Sequence, residues 1–276
     1  MSKAIFIAAT EMDVGKTTTC LGLVSGLKKR FKNIGFLKPV GQQTVTSFGG
    51  KQVDKDVSLF KHQFSLPLTE ELMSPVTFPR GFTRSYLDGE VVHDDLIKKI
   101  KASFEEISSK SDFTIVEGTG HSAVGSIADL SNAYVAATLG LDVILVVPGG
   151  IGNAFDLLSL NKVFFESHGV NIRGVILNKV RRDKIEMVQE YFSKALKKLD
   201  IPLIGCVPYS DFLSAFSLQD LSKLLDAPFI SGTSYSLRHF KHQRIVTISR
   251  TSYLKTICPN QLVITSSTRE DIIEAT

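Results

Sequence analysis

The densest chemical signal in the chain is Thr10-Glu11-Met12-Asp13-Val14-Gly15-Lys16-Thr17-Thr18-Thr19. Its spacing matches a phosphate-binding P-loop except at the first position, where Thr10 replaces glycine. Each part has a mechanical reason. Successive backbone N–H groups from Thr10 to Thr18 and a following helix N-terminus cradle phosphates, and Gly15 allows close approach. Lys16 reaches the β- and γ-phosphates, and Thr17 offers its hydroxyl to Mg²⁺. Further along, residues 113–117 form an apolar run that ends in Glu117, followed by Gly118-Thr119-Gly120. A strand that delivers a carboxylate to this edge is a Walker-B-like arrangement, with an acid near a metal.

Other residues carry more than one reading. Asp54 and Asp56 open a helical stretch, where acids cap the first turn and complement the helix dipole. Lys38, in Lys38-Pro39-Val40-Gly41, either holds a transferred phosphate or anionic substrate, or is an exposed strand-end lysine. Gly149-Gly150-Ile151-Gly152-Asn153 is either a second anion-suited helix start or an ordinary turn. Asn178 and Pro208 follow two further strands and suit contacts to a nucleotide base. Arg80 and Arg84 read as solvated charge, and His121 as either a plain loop histidine or a substrate contact.

Apolar runs at residues 4–9, 34–40, 113–117, 143–147, 172–177 and 204–207 place these groups at strand ends. They are nearly continuous in apolar character, as strands buried on both faces of a parallel sheet must be. Helix-length segments lie between them, at 17–31, 54–64, 93–110, 129–139, 154–168 and 183–199. The alternation predicts an α/β fold: a mainly parallel sheet of the P-loop NTPase type with helices on both faces. Ligands of such sheets bind beyond the carboxyl ends of the strands. Residues 42–53 and 66–89 are long connections, of the sort that carry function. From about residue 231 the pattern changes to strands at 244–249 and 261–265 and a helical start at 269–275, a short incomplete C-terminal appendage. We place the boundary between residues 1–232 and 233–276.

Composition narrows the classes. The chain has 276 residues, 43% hydrophobic and 22% charged, which is ordinary for a folded protein. Its net charge is +4, and the tail from residue 233 holds six Lys/Arg, Lys241 among them, against three acids. The main body is therefore nearly neutral and predicts no nucleic-acid partner. Apolar runs fall far below the ~20 residues of a membrane span. The N-terminal run is short for a signal peptide, and the three cysteines show no CxxC spacing. A cytoplasmic location is expected.

In this order, TEMDVGKTT, LKPVG, VDKDV, IVEGTG, ILNKV and IGCVP resemble the dethiobiotin synthetase-like P-loop ATPases over roughly residues 1–230. The resemblance implies ATP and Mg²⁺ as cofactors, and a homodimer. Such enzymes phosphorylate a carbamate formed from carbon dioxide and a diamine, and close a cyclic urea. Carried over by position, Lys16 holds phosphates, and Thr17, Asp56 and Glu117 surround Mg²⁺. Lys38 stabilises the carbamate or its phosphate, and Asn178 and the segment around Pro208 meet adenine. Departures fall on the substrate side: Ala9 before the loop, Gln42 and Gln43 after KPVG, and His121-Ser122-Ala123-Val124-Gly125-Ser126.

SPVTFPRGFTR, EGTGHSAVGSIADLSNA and LVITSSTREDII look like the ATPase portion of the phosphotransacetylase-associated group, in which a DRTGG domain follows. Partition- and iron-protein-type ATPases carry an early signature lysine that Glu11 and its neighbours lack. Two functions are expected in order. The first is ATP-dependent ligase chemistry, with phosphate passed to a carbamate or carboxylate of an unidentified small anionic or amine substrate. The second is a non-catalytic nucleotide sensor.

Overall fold

The computed structural model describes residues 3–276 except Phe48 and Lys241. Phe48 of the first long connection and Lys241 of the basic tail thus lie outside the described residues. Two compact units divide the chain at Tyr209/Ser210.

The first unit is built on six parallel strands among the described residues. They are β1 (Lys3–Ala9), β2 (Ile34–Leu37), β3 (Phe113–Glu117), β4 (Val143–Pro148), β5 (Ile172–Val180) and β6 (Leu203–Pro208), in spatial order β6-β5-β4-β1-β3-β2. β1 is central, and Phe6 through Ala9 are buried as its sequence requires. The chain steps outward from β1 to β2, returns to β3, then crosses to β4. This reversal beside β1 opens the crevice where α/β sheets bind ligands.

Helices α1 (Lys16–Leu27), α2 (Lys55–Phe64), α3 (His93–Ser109), α4 (Asn132–Thr138), α5 (Gly152–Ser167) and α6 (Ile185–Leu196) cover the sheet. On α3, Leu96, Ile100, Ser103 and Ile107 are buried, and on α6, Val188, Phe192 and Leu196, at the spacing that forms one helical face. Phe36 of β2 stacks on Phe60 of α2, ring centroids 3.7 Å apart. Burying such a ring contributes about 1.5–3 kcal/mol and fixes α2 against the sheet.

Local details differ from the sequence reading. β2 stops at Leu37 instead of 40, because Val40–Gly41 leaves the main sheet to pair in parallel with Val76–Thr77. The connection at 42–53 contains an antiparallel pair, Thr44–Thr46 with Gln52–Asp54. The helix expected from 129 starts at Asn132, because Ser131 caps it through the Tyr134 amide and Asp129 is left-handed (φ 52°).

The second unit, Ser210–Thr276, carries β7 (His242–Ile245) and β8 (Gln261–Ile264), paired in parallel, with Arg250–Leu254 helical between them. Its core is small: Val246, Tyr253 and Ile272 are buried together. Among the described residues no helix is long and apolar enough to cross a membrane.

Candidate functional site

Register brings the charged groups together. Ile7 of β1 lies opposite Glu117 of β3, and Leu37 of β2 opposite Val116. Lys38, one step past Leu37, therefore emerges beside Glu117, with the P-loop rising from β1 next to both. Asp54 caps α2 by accepting the Asp56 amide at 3.0 Å, and its other oxygen takes the Gln42 amide at 3.1 Å. That cap aims Asp56 at the same point.

The result is a buried charge cluster. The Lys38 ammonium donates to Asp56 Oδ2 and Glu117 Oε1, both at 2.8 Å. Thr17 Oγ1 donates to Glu117 Oε1 at 2.9 Å and lies 3.3 Å from Asp56 Oδ2. Lys38 is 4% exposed and Glu117 0%. Burial works against the Lys38 charge, but Glu117 and Asp56 outweigh it and hold the ammonium above the usual lysine range. Burial likewise pushes the Asp56 carboxyl up, and Lys38 reverses the balance, leaving it below the usual carboxylate range. Asp54 is pushed up by burial. Lys16 donates to the Gly120 carbonyl at 3.1 Å; burial lowers its pKa, and the nearby Lys38 charge lowers it further.

A cavity of about 470 Å³ opens over this cluster, in the size range of small-molecule sites. The P-loop from Glu11 to Thr17 lines it, with Lys38, Gln42, Gln43, Asp54, Lys55, Asp56, Thr119, Gly120 and Lys179. Gly15 is left-handed (φ 92°) at the start of α1, which has neither a side-chain cap nor an acid in its first turn. Its amides are thereby left for an anion.

The expected site residues separate into two groups. Glu11, Met12, Asp13, Val14, Gly15, Lys16, Thr17, Lys38 and Asp56 line the cavity, and Glu117 lies directly beneath it. Thr10 is buried behind the loop with its amide on the Val146 carbonyl, and Thr18 is exposed. Asn178 turns its amide nitrogen onto the Val14 carbonyl at 2.7 Å. Pro208 pairs with Val180 on the outermost strand of the sheet. Arg80 and Arg84 are exposed.

Sequence reasoning passed over Asn132. Buried at the start of α4, it accepts the Thr119 amide at 2.9 Å and donates to the Thr119 and His121 carbonyls, so it pins the loop that follows Glu117. A lone Asn at a helix start carried no signal beyond capping. Gln42 and Gln43, in sequence only departures from the family pattern, both line the cavity.

A parallel sheet with its switch point at β1, a loop of phosphate-binding form and a strand-end carboxylate below it define a P-loop nucleotide-binding domain. Residues 3–217 match the family described as AAA domain. ATP-dependent dethiobiotin synthetase BioD of Methanocaldococcus jannaschii is 30% identical over 74% of this chain and 92% of its own length. Phosphate acetyltransferase of Nitrosomonas europaea is 28% identical over 98% of this chain, which spans only 38% of that relative's length. Among solved structures, a plasmid partition protein from Borrelia burgdorferi matches 76% of this chain and 91% of its own, with TM-score 0.47 at 17% identity. The chain belongs to the AAA-domain family matched over residues 3–217, as a dethiobiotin synthetase-like P-loop ATPase related to the phosphotransacetylase group.

Proposed function

We propose that the chain binds Mg-ATP and passes the γ-phosphoryl group to a small carboxylate or carbamate, followed by ligation or ring closure. The observation that carries this reading is Lys38, buried and 2.8 Å from both Asp56 and Glu117 beneath the phosphate loop. Lys16 and the loop amides already suit phosphate docking. A second buried ammonium at this point suits charge developing on a phosphoryl group in transfer.

The oxygen donors fit magnesium. Thr17, Asp56 and Glu117 are hard ligands, and Glu117 Oε2 is buried with no hydrogen-bond partner among the described residues. Among the described residues no group of three or more His, Cys, Asp or Glu side chains could hold an ion unaided. Magnesium sites commonly combine one or two carboxylates with substrate phosphates. When bound, the ion supplies charge neutralisation across the phosphate oxygens. Lys16 and the loop amides hold the polyphosphate, Lys38 faces the acceptor oxygen, and Gln42 and Gln43 line the acceptor's side of the cavity. Glu117→Gln is expected to weaken Mg-ATP binding at least ~10–100-fold, the loss typical even of outer-shell changes at metal sites, while metal-free ATP binding changes little. Calorimetric titration with and without Mg²⁺ checks it; an unchanged metal dependence counts against the assignment.

A homodimer and a cytoplasmic location belong to the same reading. The decisive experiment mixes the chain with Mg-ATP and bicarbonate, with and without 7,8-diaminopelargonate, and measures ADP release and the mass of a cyclic urea. Diamine-dependent ADP with the ring product supports dethiobiotin synthesis. ADP release that responds to no carboxylate or diamine removes the phosphoryl-transfer reading.

One observation favours a second reading, a nucleotide-sensing module. Similarity to the phosphate acetyltransferase extends over 98% of the chain and so takes in the second unit, whereas similarity to the synthetase covers 74%. On this reading residues 1–232 sense nucleotide, and residues 233–276 form a DRTGG-like segment. Hydrogen exchange and scattering should then differ between the ATP and ADP complexes, and identical behaviour would exclude it.

A further inference from the structure

If the amides of a phosphate loop point at the ligand, its carbonyls point away, and each needs a donor of its own. Two consecutive residues of β5 supply such donors here. Asn178 Nδ2 donates to the Val14 carbonyl at 2.7 Å and lies 3.4 Å from the Gly15 carbonyl. Lys179 Nζ donates to the Asp13 carbonyl.

That both neighbours reach the same loop is unusual for a strand, whose successive side chains point to opposite faces. The backbone resolves the conflict. Lys179 is left-handed, with φ 58°, within β5, a conformation that costs a lysine energy and that Asn or Gly adopts more readily. Asp13, which accepts the ammonium, is left-handed too, with φ 57°. Strained residues held by their surroundings concentrate at functional sites. The Lys179 stem crosses the loop, with Cε 3.7 Å from the position a Cβ on Gly15 would take, and the side chain lines the cavity.

We propose that Lys179 is a positioning residue for polyphosphate binding. Together with Asn178 it clamps the carbonyls of Asp13 and Val14 so that the loop amides stay aimed at the ligand, and its ammonium adds positive charge at the rim of the same cavity. The ligand class is a polyphosphate, nucleoside-bound or free. The inference rests on the nucleotide-binding reading above and adds to it a residue outside the P-loop segment.

The test uses the full chain and two probes, ATP and inorganic tripolyphosphate, each titrated with Mg²⁺ by calorimetry. Lys179→Met keeps the stem and removes the donor and its charge, and Lys179→Arg restores both. Lys179→Met is expected to weaken both probes by about the same factor, on the order of tenfold, as the loss of one charge-assisted hydrogen bond predicts. Lys179→Arg should recover most of the loss. Unchanged affinity overturns the inference, as does a loss confined to ATP, which would mark a contact to the base. A fall in ligand-free melting temperature with no recovery of binding in Lys179→Arg marks a merely structural role and also overturns it. A wild-type chain that binds neither probe removes the nucleotide reading itself. A wild type that binds both, beside an equally tight Lys179→Met, removes this inference alone.

Discussion

Lys16→Ala is expected to raise the dissociation constant for ATP by about 100-fold and to abolish any substrate-dependent turnover, while the protein stays folded. The size follows from what the lysine faces. α1 begins at Lys16 behind a left-handed Gly15, with no side-chain cap and no acid in its first turn. By contrast α2 is capped by Asp54 and carries Asp56 in its first turn. α1 thus presents unpaired amides and a partial positive charge, and Lys16 adds a full charge at that point. A hydrogen bond to a charged group is worth about 1.5–3 kcal/mol, and a partly buried site lies at the upper end, hence the ~100-fold. Stability without ligand should change little, since burial and the Lys38 charge both oppose the Lys16 ammonium. Calorimetry against ATP and a melting curve on the same sample test both halves. Unchanged ATP affinity would remove the phosphate cradle from the site.

What could be read from the sequence was what local rules determine. A Gly-Lys-Thr between a buried strand and a helix needs no tertiary information, and the structure places Gly15, Lys16 and Thr17 in the cavity lining. The capping role of Asp54 followed from residue type and appears as the bond from the Asp56 amide. The six strands were visible as apolar runs, because strands buried on both faces leave little choice of residue. Their order was not visible. That β3 inserts between β1 and β2 depends on how connections cross the sheet, and it is this insertion that sets Glu117 between the P-loop and Lys38.

The same reason explains why Lys38 read equally well as an exposed strand-end lysine. Its burial depends on two partners 18 and 79 residues away in sequence. Lys179 was hidden for a different reason. It sat inside ILNKV, where Asn178 drew attention, and residue type argues against a left-handed lysine. The short pieces at Val40–Gly41 and Val76–Thr77 were missed because a two-residue bridge has no periodicity to detect. Lys38 and the two-residue bridge were hidden where a contact distant in sequence overrode the local pattern, and Lys179 where the backbone took a conformation its residue type disfavours.

Lys38→Met is expected to be among the most damaging single changes to the fold and to do more harm without Mg²⁺ than with it. The ammonium is the shared partner of two carboxylates whose accepting oxygens both lie within hydrogen-bond reach of Thr17 Oγ1. Methionine fills much of the same volume, so packing is nearly kept and the charge alone is lost. Removing one member of a buried ion pair costs about 3–5 kcal/mol, because the charge left behind stays desolvated. At roughly 2–4 °C per kcal/mol for a protein of this size, the melting temperature should fall by about 10 °C. Glu117 takes the larger share, being fully buried, whereas Asp56 retains some access to water. Millimolar Mg²⁺ should restore more stability to Lys38→Met than to wild type, since the ion offers the two carboxylates a replacement positive charge. Combining Lys38→Met with Glu117→Gln should cost less than the sum of the single changes, since the second substitution removes the charge that the first exposed. On the proposed phosphoryl-transfer reading, turnover should fall by about 10²–10³ and should not return with the ion, because a metal at the carboxylates would not replace a donor that serves the acceptor. Melting curves with and without Mg²⁺, paired with ADP release, separate the two roles. A Lys38→Met chain as stable as wild type in metal-free buffer would show that the ammonium does not hold the two carboxylates together.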